Sequence, residues 1–156
     1  MIAQLLSALG LALVTVSIHA LATLEAFAQM ARLRRRRSEQ AGLLMQVVPV
    51  VRAVAILLTL HLVEAGVWAG FYVVAGAFSD LETAVYFSMT SYTTVGYGDV
   101  NLPYGWRLLG PSEAAVGILM FGWSTAIIVA MMTRVYGERF QSLSGPGETS
   151  RQSDGH

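Results

Sequence analysis

The residues of this 156-residue chain that are best suited to chemistry lie in one glycine-containing stretch, Thr93 to Asp99, which reads Thr-Thr-Val-Gly-Tyr-Gly-Asp. A cation such as K+ gives up its hydration water only where neutral oxygen atoms replace that water, and consecutive backbone carbonyls can supply them. Turning successive carbonyls to one axis requires backbone conformations that most residues avoid, whereas Gly96 and Gly98 adopt positive φ without a steric penalty. The stretch therefore predicts a row of carbonyl ligands, with the Thr94 hydroxyl as a further oxygen at its inner end.

The composition indicates that this stretch lies in a membrane protein. Hydrophobic residues make up 54% of the chain and charged residues 13%, and the mean hydropathy is +0.56. The absence of cysteine excludes disulfides and thiolate sites, and a net charge of zero gives no indication of a nucleic-acid partner. The sequence shows no acid–base pair, activated nucleophile or phosphate loop, so we expect neither an enzyme nor an organic substrate.

Three apolar segments are long enough to cross a bilayer, which needs about 20 residues. We predict an N-terminal transmembrane helix over residues 1–31, an outer helix over 46–76 and an inner helix over 111–136, hence an all-α membrane protein. A cleaved signal peptide is the alternative for the first segment, because Ala20-Leu21-Ala22 fits the small-x-small cleavage pattern. The absence of a positively charged start argues against it.

A shorter helix is predicted over residues 81–92, directly before the glycine-containing loop 94–99. At about 1.5 Å per residue it is too short to cross the membrane, so it must enter and leave on one side. Ser79 and Glu82 have the spacing of a capping box, which predicts Ser79 as the N-cap. Irregular backbone at membrane depth is tolerated only where protein or a water-filled cavity surrounds it. The loop therefore predicts an oligomer.

Charge sets the expected orientation. Arg32 and the run Arg34 to Arg37 fall in a predicted cytoplasmic loop, residues 32–45. This loop places the N-terminus outside and the C-terminus in the cytoplasm. The expected membrane is the plasma membrane or inner membrane of the cell. The same arginines predict attraction to anionic membrane lipids. The polar, Gly- and Ser-containing residues 138–156 predict a disordered cytoplasmic tail.

The loop motif, placed after a short helix and before a spanning helix, resembles the filter of bacterial two-transmembrane potassium channels, including the two-pore-like group. The resemblance covers a pore module of residues 46–137 and leaves the N-terminal helix outside it. It implies a homotetramer that conducts K+ passively, needs no cofactor and binds K+, its permeant ion, only at filter carbonyls. The implied ion-binding filter residues are Thr94, Val95, Gly96, Tyr97 and Gly98.

The same resemblance implies roles for residues around the filter. Asp99 would lie at the outer mouth, Thr93 would precede the filter, and the side chains of Val95 and Tyr97 would pack against the short helix. An aromatic pair on that helix, Tyr86 and Phe87, would support the filter. Thr90 stands at the position where some bacterial members have a glutamate that pairs with the aspartate. Thr90 implies that the carboxyl pair is absent.

Two glycines of the inner helix, Gly117 and Gly122, are gating-hinge candidates, since channels of this family usually bend at a glycine there. A glycine in a helix interior is about 1 kcal/mol less favourable than alanine, so each needs a reason. Close helix packing in the membrane is the alternative explanation for both. We favour Gly122 slightly as the hinge.

Three ionisable residues, His19, His61 and Glu64, lie inside apolar segments at similar predicted depth, where such groups require partners. The leading interpretation is a hydrogen-bonded set that docks the N-terminal helix onto the pore module. A pH sensor is the second interpretation, because histidine titrates near neutrality. A metal site is the third and least favoured.

Other functions remain open from the sequence. The main alternative is a non-conducting accessory or structural subunit of another channel, which the intact motif argues against. A less selective cation channel would be expected to alter Tyr97 or a filter glycine. A potassium transporter subunit would repeat the pore unit within one chain, and this chain contains it once.

Overall fold

The computed structural model describes residues 1–34 and 43–143, and its side chains are described over 1–25 and 47–133. The described ranges contain helices and no strand, which confirms the predicted all-α class. The helices are α1 (Ile2–Arg34), α2 (Leu43–Val74), α3 (Leu81–Tyr92) and α4 (Leu109–Leu143), with a 3-10 turn at Tyr104–Trp106 before α4. Most of the predicted arginine-rich loop 32–45, and the predicted tail from residue 144 onward, lie outside the described residues.

Three segments are long and apolar enough to cross a membrane, as the sequence predicted. They are Ile2–Glu25, Val47–Val74 and Tyr104–Thr133, of 24, 28 and 30 residues. At about 1.5 Å per residue each exceeds the hydrocarbon thickness of about 30 Å. Helix α3 has 12 residues and is too short to do so.

The ends of the long helices differ from the predicted ends. Helix α1 continues to Arg34, and α2 covers Leu43–Val74 where residues 46–76 were predicted. Gly76 explains the end of α2, because its φ of 68° closes the last turn and the Ala77 N–H donates to the Tyr72 carbonyl at 2.8 Å.

Helix α4 was predicted over 111–136 and extends over Leu109–Leu143. Pro111 lies in its first turn, where no amide donor is needed. Gly137 does not end the helix, since a single interior glycine disfavours it by only about 1 kcal/mol. Residues 138–143 therefore belong to α4, and the prediction of a disordered tail from residue 138 is wrong for these six residues.

Helix α3 has the predicted bounds, but the predicted N-cap is wrong by one residue. Asp80, with φ −132° and ψ 152°, caps the helix, and its carboxylate accepts a hydrogen bond from the Thr83 backbone N–H at 2.7 Å. This bond lowers the pKa of Asp80. Aspartate caps helices as well as serine does, so the adjacent Ser79 and Glu82 pattern did not decide the position.

Helices α2 and α4 each contact the other three helices. The core contains Trp68 and Tyr72 of α2, Phe87 and Tyr92 of α3, and Leu109 of α4. Aromatic side chains of this size bury large apolar areas and fix the short helix against its neighbours.

Helix α1 lies against α2 and α4. Near one end the Leu108 N–H donates to Gln4 Oε1 at 3.2 Å, and further along the indole N–H of Trp68 donates to the Thr15 hydroxyl at 3.0 Å. The N-terminal helix is thus attached to the rest of the chain by polar as well as apolar contacts.

Candidate functional site

The backbone of the loop after α3 alternates in handedness. Thr94, Gly96 and Gly98 have φ values of 63°, 51° and 76°, while Val95 and Tyr97 do not have positive φ. Positive φ at the two glycines agrees with the prediction. Positive φ at Thr94 was not foreseen, because a β-branched residue is disfavoured there, and such strain is concentrated at functional sites.

The loop is tied to the carboxyl end of α3. The Thr93 N–H donates to the Met89 carbonyl at 3.1 Å, the Thr94 N–H to the Ser91 carbonyl at 2.9 Å, and the Gly96 N–H to the Thr90 carbonyl at 3.0 Å. These bonds satisfy carbonyls that a helix leaves without partners at its end. The Thr90 hydroxyl donates to the Phe87 carbonyl at 2.9 Å, so its side chain stays on its own helix.

At the other end of the loop, Tyr86 holds Asp99. The Tyr86 hydroxyl donates to Asp99 Oδ2 at 2.7 Å, and this hydrogen bond lowers the pKa of Asp99 and raises that of Tyr86. Phe87 points the other way and packs edge-on against Tyr72, with ring centroids 5.4 Å apart. The two residues of the aromatic pair therefore make different contacts, since Tyr86 contacts the loop and Phe87 contacts the core.

We expect Tyr86→Phe to raise the pKa of Asp99 toward its usual value near 4. Because the pKa of Asp99 is lowered in the folded chain, its stabilising bond is present at neutral pH and is lost as pH falls through that lowered value. In the variant, protonation of Asp99 should therefore occur at higher pH. NMR titration of labelled aspartate in bilayers would measure this, with Tyr104→Phe as the control because Tyr104 is exposed. An unchanged Asp99 titration in Tyr86→Phe would contradict the assignment.

The side chains of Val95 and Tyr97 are not packed within the chain. They expose 52% and 71% of their surface, and neither belongs to the hydrophobic core. The expected packing of these residues against α3 is therefore not made inside one chain.

A buried carboxyl that the sequence analysis did not single out joins α4 to α2 and α3. Glu113 is fully buried and accepts a hydrogen bond from the Tyr72 hydroxyl at 2.6 Å and another from the Ser88 hydroxyl. An acidic residue four positions inside a spanning helix was the signal in the sequence. Its hydrogen bonds hold α3 between the two long helices.

The structure brings together His19, His61 and Glu64. His19 Nδ1 lies 2.8 Å from Glu64 Oε1, and His61 Nδ1 lies 3.2 Å from Glu64 Oε2. Two further residues, which the sequence analysis did not include, complete the set. The Tyr92 hydroxyl donates to Glu64 Oε2 at 2.5 Å, and the Ser124 hydroxyl lies 3.0 Å from His61 Nε2. All four helices thus contribute to one buried polar cluster.

The two glycine candidates of α4 have different surroundings. A Cβ on Gly117 would lie 1.9 Å from the Tyr92 carbonyl oxygen, whereas a Cβ on Gly122 would meet nothing within 4 Å. Gly117 therefore allows α4 to approach the end of α3. Gly122 has no such packing requirement within the chain.

One comparison with known proteins gives a match. A family model described as an ion channel matches residues 56–134, which include most of α2, all of α3 and the loop, and most of α4. No curated protein and no solved structure matches the chain. Since the family match takes in half of the sequence and three helices can span a membrane, the chain belongs to the ion channel family and is a multi-pass membrane protein.

Proposed function

We propose that the chain is one subunit of a homotetrameric, potassium-selective channel that conducts K+ passively. The observation that carries the proposal is the alternation of positive φ at Thr94, Gly96 and Gly98 in a Thr-Val-Gly-Tyr-Gly sequence. Alternating handedness lets successive carbonyls face one side, and four such loops around an axis would replace the hydration shell of K+. In this proposal residues 94–98 bind the ion, and Asp99, held by Tyr86, lies at the outer mouth.

Exposure of the loop supports the tetramer. Val95 and Tyr97 are apolar or aromatic and largely exposed, and a chain with one copy of the loop cannot surround it. In a closed fourfold ring one surface of each subunit contacts a different surface of the next, which would cover these side chains and place the four loops on the axis. Helix α3 then serves as a re-entrant pore helix between the outer helix α2 and the inner helix α4.

The buried contacts of α3 fit this role. Ser88 and Tyr92 bond to Glu113 of α4 and Glu64 of α2, so the short helix is fixed on both sides before the loop begins. Its carboxyl end, to which the loop is tied, would point toward the axis, where the negative end of the helix dipole favours a cation. The proposed orientation keeps the N-terminus outside and the arginine-rich residues near anionic lipid on the cytoplasmic side.

The test uses purified full-length protein in liposomes of defined lipid composition. We expect K+ flux well above Na+ flux, with block by Ba2+, and a cross-linked mass of four chains. Equal K+ and Na+ flux would instead indicate a less selective cation channel. Absence of flux in a correctly assembled tetramer would favour the non-conducting accessory subunit.

A further inference from the structure

The buried polar cluster of His19, His61, Glu64, Tyr92 and Ser124 makes five hydrogen-bond contacts. Three converge on the Glu64 carboxyl group, from the two Nδ1 atoms and from the Tyr92 hydroxyl, at 2.8, 3.2 and 2.5 Å. The other two converge on the Ser124 hydroxyl, from His61 Nε2 at 3.0 Å and from His19 Nε2 at 3.4 Å. Every nitrogen of both imidazole rings therefore has a partner.

Five contacts need five protons, and the ordinary forms of these groups supply four. A carboxylate brings none, each neutral imidazole brings one, and the two hydroxyls bring one each. With both Nδ1 atoms protonated toward Glu64, both Nε2 atoms are acceptors, and the single Ser124 proton serves only one of them. The remaining contact requires a fifth proton within the cluster. An unpartnered buried polar atom is strongly unfavourable.

The net charge of the cluster also indicates five protons. His19 and Glu64 are fully buried and His61 is 7% exposed, and no other charged side chain among the described residues belongs to the cluster. With four protons the cluster has one net negative charge inside the membrane, and with five it is neutral. A net charge in a buried, apolar site is strongly unfavourable.

We propose that these five residues form a proton-binding site that holds one proton beyond the ordinary forms of its groups and thereby fastens the N-terminal helix to the pore module. The proton can reside as an imidazolium beside the Glu64 carboxylate or as a carboxylic acid between two neutral rings, and both arrangements satisfy all five contacts. In both, one of the two Nε2 atoms carries a proton and the other does not. The groups that face the proton are His19 of α1, His61 and Glu64 of α2, Tyr92 of α3 and the Ser124 hydroxyl of α4.

The site connects to the loop through Tyr92. The hydroxyl of Tyr92 bonds to Glu64, and its carbonyl oxygen lies against Gly117 of α4. Tyr92 is the last residue of α3 and is followed at once by Thr93 and Thr94. Loss of the proton therefore leaves a net negative charge in the cluster, where the Tyr92 hydroxyl contacts Glu64, and Tyr92 lies two residues before Thr94, the first residue of the proposed filter.

A divalent cation is the rival ligand, since donor atoms of the two histidines and Glu64 lie within 4.8 Å of one another. Such an ion would replace protons in the contacts to Glu64 and would leave the cluster with one net positive charge. The proton alone gives a neutral cluster with complete hydrogen bonding, so we favour it.

The test counts the protons on Nε2. Full-length His156→Asn protein, labelled with 15N-histidine and placed in lipid bilayers, retains only His19 and His61 as labelled residues. At pH 8, well above the usual titration range of histidine near 6.5, we expect one protonated and one unprotonated Nε2 per chain, together with either two protonated Nδ1 atoms or a protonated Glu64 carboxyl group, which 13C labelling of glutamate would report. Two unprotonated Nε2 atoms at pH 8 would overturn the proposal, and so would one protonated Nε2 beside a single protonated Nδ1 and an ionised Glu64. So would loss of the Nδ1 protons on addition of Zn2+ at stoichiometric concentration, because it would identify a metal site.

Ser124→Ala separates the proton site from general packing. Without the hydroxyl no contact calls for a protonated Nε2, so we expect that signal at pH 8 to be lost, corresponding to a fall of about tenfold or more in proton affinity. The matched control is Thr125→Ala, which removes an exposed hydroxyl that bonds only to the Phe121 carbonyl of its own helix. Retention of the signal in Ser124→Ala would overturn the assignment of Ser124 to the site.

A second readout rests on the proposed channel function. K+ flux in liposomes is expected to change between pH 6 and pH 9 in wild type and in Thr125→Ala, and to lose this pH dependence in Ser124→Ala. Flux that is independent of pH in all three would overturn the coupling of the site to conduction. Absence of flux at every pH would count against the channel function, while the Nε2 measurement would still decide the proton site.

Discussion

Gly96→Ala is expected to abolish K+ flux. Gly96 has φ of 51° and open space around its Cβ position, so the substitution creates backbone strain without a collision. An L-residue in the left-handed region is disfavoured by about 1–2 kcal/mol, and the proposed tetramer would incur this strain four times around one axis. The loop can relieve it only by turning a carbonyl away from the ion, which removes the ligands on which conduction depends.

The matched control for this prediction is Gly76→Ala. Gly76 also has positive φ, 68°, and no atom within 4 Å of its Cβ position, but it lies after α2 and away from the loop. The same local strain there should reduce stability slightly and leave K+ flux near the wild-type level. Liposome flux and the tetramer fraction after size-exclusion chromatography would be measured for both variants. Wild-type flux through assembled Gly96→Ala protein would refute the assignment of residues 94–98 as the ion path.

Gly117→Ala is expected to give the largest loss of stability among Gly→Ala substitutions at the described glycines whose surroundings are known. The new Cβ would lie 1.9 Å from the Tyr92 carbonyl oxygen and 2.9 Å from the Tyr92 carbonyl carbon. Both atoms belong to backbone at the end of α3, so no side-chain rotation relieves the overlap. Helix α4 would have to move away from α3, at a loss of about 3 kcal/mol or more. Thermal unfolding in detergent would measure it.

Gly122→Ala is the companion variant, five residues further along α4. Its Cβ meets nothing within 4 Å in the chain, and alanine is favoured over glycine by about 1 kcal/mol in a helix interior. Its stability should therefore equal or exceed that of wild type. If Gly122 is the gating hinge, single-channel open probability should fall although stability does not, and an unchanged open probability would exclude that hinge. Equal stability losses in the two variants would refute the contact at Tyr92.

Much of the helical framework could be predicted from the sequence because it depends on local signals. Three apolar runs predicted the spanning helices, and the length of the run between them predicted α3 with its observed bounds. The ends were harder to predict, since they depend on weak preferences. Gly137 does not stop α4, and Asp80 rather than Ser79 caps α3, because the two residues are nearly equivalent as caps.

The partners inside the membrane could be predicted only in part. The depths of His19, His61 and Glu64 indicated that they meet, and the structure brings them together. Ser124 and Tyr92 were missed because a serine or tyrosine in an apolar helix is common, and only the packing of four helices decides which of them faces a carboxyl group. Positive φ at Thr94 was missed for a different reason, since its residue type argues against that conformation.

The contacts of α1 with α2 limit where the chain can be truncated or joined to a foreign helix without loss of folding. The family match begins at residue 56 and excludes α1, yet Glu64 and Trp68 inside the matched region bond to His19 and Thr15 of α1. A truncated protein without α1, or a chimera with a foreign first helix, would turn a carboxyl group and an indole N–H toward lipid. In this chain the smallest autonomous unit is therefore larger than the family domain, and the first helix must be transplanted together with the pore.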